Sequence, residues 1–525
     1  MEKKEILNFC IERKILLDND LLNIFSEINN LEAIKFVIDN LKGIANTKFI
    51  TKEIINSNRE KLIKLFSNNY FGDENFINEL TFKLGLNLEI SAKSTRLEKG
   101  EKENSASEVK VLSPYSCFGK NFGVKDFVSH FRGRFNDIKN ILLENKALEN
   151  PVSINKLNDA KNNVSIIGMV YDKKLTKNKN IILEAEDLTG KIKLIINFNK
   201  KELYEKAENI SLDSVLGFKC TGNKEFLFVN DIIFPEANLS LKKKSPYEEY
   251  ALFIGDLHYG SKNFLKNDFL KFLDYLNDTN DSEVGKIKYL FIVGDLVTGI
   301  GNYPDQERDL EINDLEKQYQ GLAKILSKIR KDIKIIISPG NHDGVRLMEP
   351  QPLLDEKYAW PLYELENVIM VNNPSYLNIG SDLIFPGFDV LVYHGFSFPF
   401  YANNISKLIQ TRSMNSPEKI MEYLLMNRHL APTHTSVQYY PCEKDNHVIR
   451  KIPDIFVSAH THKSGINYYN NILLISISTW ESMTPYQEKF GNEPDHCKVP
   501  MVNLKTRAIK ILDFENSGRN NEDRD

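Results

Sequence analysis

Apolar residues follow three patterns along this chain, and each marks a different kind of element. From residue 1 to about 90 the spacing is helical, with Leu7, Cys10, Ile11 and Ile15, and later Leu62, Ile63 and Phe66. That predicts a small helical domain over 1–90. Residues 91–125 are polar and charged, as in Lys93-Ser-Thr-Arg-Leu-Glu-Lys-Gly, and read as a flexible linker. Helical spacing returns with Phe127, Val128, Phe131, Phe135, Ile138 and Leu142, and Asp126 is placed to cap that helix.

Next comes a strand-rich block. Its runs are Val164–Tyr171, Ile181–Glu186, the alternating Lys191–Phe198, Val215–Cys220 and Glu225–Val229, with a helix at about 200–208 after the third run. Five short strands with that helix fit an OB barrel, so 126–245 is expected to be a helix plus an OB-fold domain. In the last block, 246–514, short apolar runs end in polar clusters and alternate with helical stretches. Residues 515–525 read as a disordered tail. The fold class expected is multidomain α+β.

Composition narrows the function. Lys+Arg is 68 against Asp+Glu 72, a net charge of −4, so any nucleic acid must be met through local patches, a metal site or a partner. The five cysteines are scattered and never at CxxC spacing, which argues against a disulfide scaffold or a structural zinc site and fits a reducing, cytoplasmic setting. The start, Met1-Glu-Lys-Lys, lacks a signal-type apolar run, and no stretch approaches the ~20 apolar residues that span a bilayer, so no membrane association is expected.

Candidate chemistry is concentrated in the last block. Ala251–Ile254 runs into Gly255-Asp256-Leu257-His258, and Tyr289–Val293 into Gly294-Asp295. Ile333–Ile337 runs toward Gly340-Asn341-His342-Asp343, Val390–Tyr393 into His394-Gly395, and Ile455–Ser458 into Ala459-His460-Thr461-His462. In an open α/β sheet, ligands bind past the C-terminal strand ends, so five such ends would meet at one edge. Asp, Asn and His are hard-oxygen and imidazole donors suited to Mn2+, Mg2+, Zn2+ or Fe2+. Two such ions ~3.5–4 Å apart can activate water and stabilise charge on a phosphate. Asp256 and His258, and likewise His460 and His462, are two apart, so in extended chain each pair faces one side. A lone Asp-x-His is usually a surface turn. The ordered set of five is not accounted for that way.

That order resembles the calcineurin-like metallophosphoesterase superfamily. The resemblance implies a two-layered β-sandwich flanked by helices. It also implies one metal among Asp256, His258, Asp295 and His462, a second among Asp295, Asn341, His394 and His460, and His342 as general acid or phosphate-positioning residue. Longer strings, Gly294–Pro304, Pro339–Arg346 through Glu349-Pro-Gln-Pro352, Arg428–Pro432 and Pro453–Phe456, are similar to the small-subunit family of archaeal DNA polymerase D.

That family implies a 3′→5′ proofreading exonuclease acting on the primer 3′ end and single-stranded DNA. It implies two divalent ions, Mn2+ first among them, and a large catalytic polymerase subunit as partner. A sliding clamp is a further candidate partner, without a convincing motif for it. The alternatives are a non-catalytic scaffold and a free-standing phosphoesterase or repair nuclease. Two departures from the family pattern, Thr298 for Asp and Gly255 for Ser, bear on the surroundings of the ligands.

Arg346 and Arg428 are candidate phosphate contacts, with a structural salt bridge as the competing reading. Phe198, Phe218, Phe226 and Phe228 could line a single-strand surface but read mostly as core. His130, His429, His434, His447 and His496 have no assigned role and read as ordinary surface or interface histidines.

Overall fold

The computed structural model describes residues 3–13, 15–18, 21–22, 25, 38, 49–50, 108–112, 121–159, 162–491 and 493–515. It divides into two compact units, 1–104 and 105–525. In the first, α1 (Lys3–Glu12) buries Ile6 and Cys10 and leaves Leu7 and Ile11 exposed. β1 (Leu16–Leu17) pairs in parallel with β2 (Phe49–Ile50), a strand pairing that the helical reading of 1–90 did not include. Leu62, Ile63 and Phe66 lie outside the described residues, as does the tail beyond 515.

The second unit begins inside the expected linker. Glu108–Val111 forms strand β3, where valine alternates with a charged residue. α2 (Val124–Leu143) starts two residues before Asp126. Asp126 does serve the helix start, accepting the Gly123 N–H at 2.9 Å from inside the first turn.

A closed barrel follows, built from β4 (Asn162–Leu175), β5 (Ile181–Glu186), β6 (Lys191–Ile196), β7 (Val215–Gly222) and β8 (Phe226–Ile233), in the order β4-β5-β6-β8-β7. α3 (Lys201–Glu208) lies between β6 and β7. Inward residues alternate with outward ones, as in Ile192, Leu194 and Ile196 of β6. The same alternation puts Leu227 and Val229 inside and turns Phe226 and Phe228 outward. Of the four phenylalanines read mostly as core, only Phe218 is buried, while Phe198 and Phe228 are exposed.

The remainder is a sandwich of two six-stranded sheets. One holds β9 (Tyr250–Ile254), β10 (Ile287–Val293), β11 (Lys334–Ser338) and β12 (Val368–Met370) in parallel, with β18 (Lys498–Asn503) and β19 (Ile509–Asp513) antiparallel at its edge. The other runs β16-β17-β15-β14-β13-β3, from β13 (Ser375–Ser381), β14 (Phe388–Tyr393), β15 (Ile455–Ser458), β16 (Gly465–Tyr469) and β17 (Ile472–Ser476).

Strands buried on both faces read as unbroken apolar runs. In β9, Ala251 and Phe253 join the inter-sheet core with Val390, Val392, Ile455 and Val457. Leu252 and Ile254 face the outer layer with Phe269 and Phe272 of α4 (Lys266–Asn277) and Tyr319 and Leu322 of α5 (Leu315–Leu326). The five motif-bearing strands are therefore divided between two sheets, three in one and two in the other, rather than lying in one open sheet.

A buried charge cluster ties α2 to this sandwich. Arg134 Nε donates to Asp445 Oδ2 at 2.6 Å, and His429 Nε2 lies 2.9 Å from the same oxygen. His447 lies 3.3 Å from Asp445 Oδ1 and 2.9 Å from Glu349 Oε2. His130 joins through Asp445 at 3.3 Å. Thus His130, His429 and His447, read as ordinary surface or interface histidines, are all buried. Burial, together with Arg134, pushes His429 down to about 3. Burial opposes charge on His447 too, but the adjoining carboxylates outweigh it and hold the imidazole up at about 9.

Breaking a buried pair leaves an uncompensated charge. We expect Asp445→Asn to destabilise the protein by about 3–5 kcal/mol, read from urea denaturation. His447 is held above its ordinary 6.5, so its contribution is complete below that pH and is lost as pH rises through about 9. Denaturation midpoints should fall across that window, and the fall should be shallower in His447→Gln.

Candidate metal centre

Each of the five motif strands ends one to four residues before the side chains that meet at this edge of the sandwich. Asp256 and His258 follow β9, Asp295 follows β10, Asn341 and His342 follow β11, His394 follows β14, and His460 and His462 follow β15. The chain does not stay extended there. Asp256, His258, Asp295, His460 and His462 all adopt left-handed backbone, with φ of 46°, 48°, 47°, 67° and 55°. The pairs two apart therefore converge through sharp turns, not through strand alternation, which corrects the sequence argument. Asp, Asn and His tolerate this region better than most side chains, and such strain concentrates at functional sites.

The side chains form two groups, linked by a third made of His258, Asp295 and His342. Asp256, His258 and His462 offer ligand atoms within 4.8 Å of one another, and so do Asp295, His394 and His460. His258 Nε2 is 3.2 Å from His462 Nε2, and His462 Nε2 is 3.9 Å from Asp256 Oδ2. In the second group His394 Nε2 lies 3.2 Å from Asp295 Oδ2 and 3.0 Å from Asn341 Oδ1. Asp295 Oδ2 is also 4.0 Å from His258 Nε2, so this oxygen faces both groups.

Main-chain contacts aim the carboxylates. Asp295 Oδ1 accepts the His342 N–H and Asp256 Oδ2 accepts the His460 N–H, both at 2.8 Å. Asp256 Oδ1 is buried without a hydrogen-bond partner among the described residues. An orphaned carboxylate oxygen beside a second buried carboxylate and four imidazoles is the donor set a divalent cation needs, and these residues fit one.

Electrostatics agree. Burial pushes His460 down to about 3 and pushes His258 and His462 below their ordinary value, so these imidazoles are neutral and able to bind a cation. Burial would raise both carboxyls. It does raise Asp256, but His394 and His342 outweigh it at Asp295 and hold that group well down. Two glycines make room. A Cβ on Gly340 would lie 2.3 Å from Asp295 Oδ1, and one on Gly294 (φ 73°) would lie 2.1 Å from His394 Nδ1.

His342 is partly buried at the rim, its ring 4.9 Å from that of His258. Its Nδ1 lies 3.0 Å from the Thr298 carbonyl. That contact is made by main chain, so the Thr298 departure leaves it in place. At the Gly255 departure the chain passes close to its neighbour, since a Cβ there would sit 2.6 Å from the Val293 carbonyl.

Arg428 is a different case from its expected phosphate role. Its guanidinium is buried and donates to the carbonyls of Ile449, Glu236 and Arg450, which binds the segment after the barrel to the sandwich. Arg346 donates to the carbonyls of Met348 and Pro350 and lies over the Tyr440 ring at 3.7 Å. Sequence reasoning gave no role to Asp343, whose carboxylate accepts the N–H groups of Val297 (3.0 Å) and Gly340 (2.7 Å) and braces two ligand loops. Its place in the Gly-Asn-His-Asp motif was the available signal. Cys442 is disulfide-bonded, a pairing that the scattered cysteine spacing did not suggest, while Cys10, Cys220 and Cys497 are free and buried.

Residues 251–464 match the calcineurin-like phosphoesterase family, a metal-dependent class of domain, and that span includes every ligand residue of the edge. The chain belongs to the family of DNA polymerase II small subunits. It is 34% identical over 439 residues to that of Methanothermobacter thermautotrophicus, covering 82% of this chain and 88% of that one. With the Archaeoglobus fulgidus protein of the same name it shares 32% over 469 residues, 86% and 91% of the two chains. It shares 37% over 403 residues with that of Pyrococcus furiosus, 74% of this chain and 64% of the longer relative.

Gly294→Ala should drive a methyl group into the His394 ring. We expect its uptake of Mn2+, measured by titration calorimetry, to weaken by at least about tenfold, the scale on which supporting contacts tune a metal site.

Proposed function

We propose that this chain is the two-metal 3′→5′ proofreading exonuclease subunit of a heteromeric archaeal replicative polymerase, working in the cytoplasm beside a large catalytic subunit. The observation that carries this reading is the complete, largely buried and convergent ligand set at the sandwich edge. A subunit kept only as scaffold has no need of five ligands in strained backbone. Asp256, His258 and His462 would hold one ion, Asn341, His394 and His460 the other, and Asp295 would bridge them.

Bound divalent ions, Mn2+ first among the candidates, supply an activated water and positive charge opposite a phosphodiester. The protein's own part is positional. His342 is fixed at its main-chain N–H by Asp295 and at Nδ1 by the Thr298 carbonyl, so that in its protonated form the Nε2–H can pass its proton to the leaving 3′ oxygen and the ring is left neutral. The substrate in this reading is the 3′ end of a DNA primer, frayed into a single strand.

The barrel supports the expected OB fold through its strand order, with the helix between the third and fourth strands. Its role in this reading is an interface with the large subunit.

The test is degradation of a 3′-mismatched primer with Mn2+, by the chain alone and with its large subunit. Asp295→Asn should lower the rate at least ~10²-fold, comparable to loss of one key electrostatic group. His342→Ala should lower kcat by more than it weakens Mn2+ binding. Equal rates in parent and Asp295→Asn, with the large subunit present, would overturn the assignment.

A further inference from the structure

The Glu349-Pro-Gln-Pro352 string carries no ligand and no part in the proposed chemistry, yet Gln351 lies directly behind the metal centre. Gln351 and Asn373 pair through their main chains, with N–H···O distances of 2.7 and 3.2 Å. Both side chains are buried, at 2% and 0% exposure. Asn373 Oδ1 accepts the N–H of His394 at 2.8 Å. Asn373 Nδ2 donates to Gln351 Oε1 at 2.8 Å and points toward Glu349 Oε1 at 3.5 Å. Gln351 Nε2 donates to the carbonyl of Gly340, next to Asn341, and to that of Arg346, each at 3.3 Å.

The polarity of this relay admits one arrangement. The His394 N–H needs an acceptor, so the Asn373 oxygen must face it. The Asn373 amide nitrogen then faces the Gln351 oxygen, and the Gln351 nitrogen is left for the Gly340 carbonyl. Two amides thus connect the loops that carry Asn341 and His394, one on each sheet. Neither amide approaches Asp256, His258 or His462 with a hydrogen bond among the described residues. The pair is backed by Glu349, whose other oxygen is held by His447 at 2.9 Å and Tyr393 at 3.1 Å.

We propose that Gln351 and Asn373 are positioning residues that hold Asn341 and His394 in register across the two sheets and so set the affinity of the ion these ligands share with Asp295 and His460. This rests on the metal reading given above. A pair of neutral amides suits the task, because it adds no charge beside two carboxylates and is rigid only when every donor and acceptor is matched.

The test is calorimetric titration of the full chain with Mn2+, with Mn2+ paramagnetic resonance to detect adjacent ions. Gln351→Ala should weaken one of two Mn2+ equivalents by at least about tenfold, leave the other unchanged, and replace the coupled-pair spectrum by that of an isolated ion. Asn367→Ala is the control. It removes an equally buried amide, bonded to the Ile333 carbonyl at 2.9 Å, at the opposite end of β11. That variant should keep both equivalents. Unchanged binding in Gln351→Ala, or equal weakening of both equivalents in the two variants, would overturn the positioning role alone. A parent protein that takes up no Mn2+ would overturn the metal reading, and this proposal with it.

Discussion

Two carboxylates buried within reach of each other are the constraint around which this molecule is arranged. Asp256 and Asp295 sit just past the ends of neighbouring parallel strands, almost sealed from water, each with one oxygen held by a main-chain N–H. Water cannot screen them there, so their like charge must be met by positive charge or by protonation. The surrounding histidines and the orphaned Asp256 oxygen follow from that requirement. So does the sandwich, because only a face-to-face packing of two sheets brings loops from β9, β10 and β11 against loops from β14 and β15 without a flexible lid.

A second buried charge cluster solves a different problem. Helix α2 lies before the barrel in sequence, yet Arg134 finds its carboxylate at Asp445, beyond most of the sandwich. With Asp445 and Glu349 set against Arg134 and a charged His447, the cluster balances itself. It fixes the helix and leads through Glu349 toward the amides behind His394. Arg428 does the same for the segment leaving the barrel. In the unit 105–525, the helix, barrel and sandwich are therefore joined by desolvated polar contacts, which specify orientation more narrowly than apolar packing alone.

The ligand side chains were legible in the sequence because each lies in a short motif at the end of an apolar run, and both signals are local. What the sequence concealed was long-range. The apolar stripe of α2 pointed to Phe127, Val128 and Phe131, but the helix turns His130 and Arg134 inward, since partners more than 300 positions away make their burial tolerable. Phe226 and Phe228 read as core by chemistry, yet the two-residue period of β8 sends them outward. The division of five similar strands between two sheets was also hidden, because parallel strands in either sheet have the same composition. The left-handed turns could not be read, since Asp-Leu-His fits an extended segment equally well.

Those turns carry a consequence for how such a site drifts over evolutionary time. A residue held at positive φ is screened first by its backbone and only then by its side chain. Were a lineage to give up the chemistry at this edge, the five left-handed positions would not be free to take any residue. Glycine and asparagine would be accepted without disturbing the loops, and β-branched residues would be refused. Decay of the function would leave a fossil of its geometry, with the turns preserved by sterics after the side chains that needed them had gone.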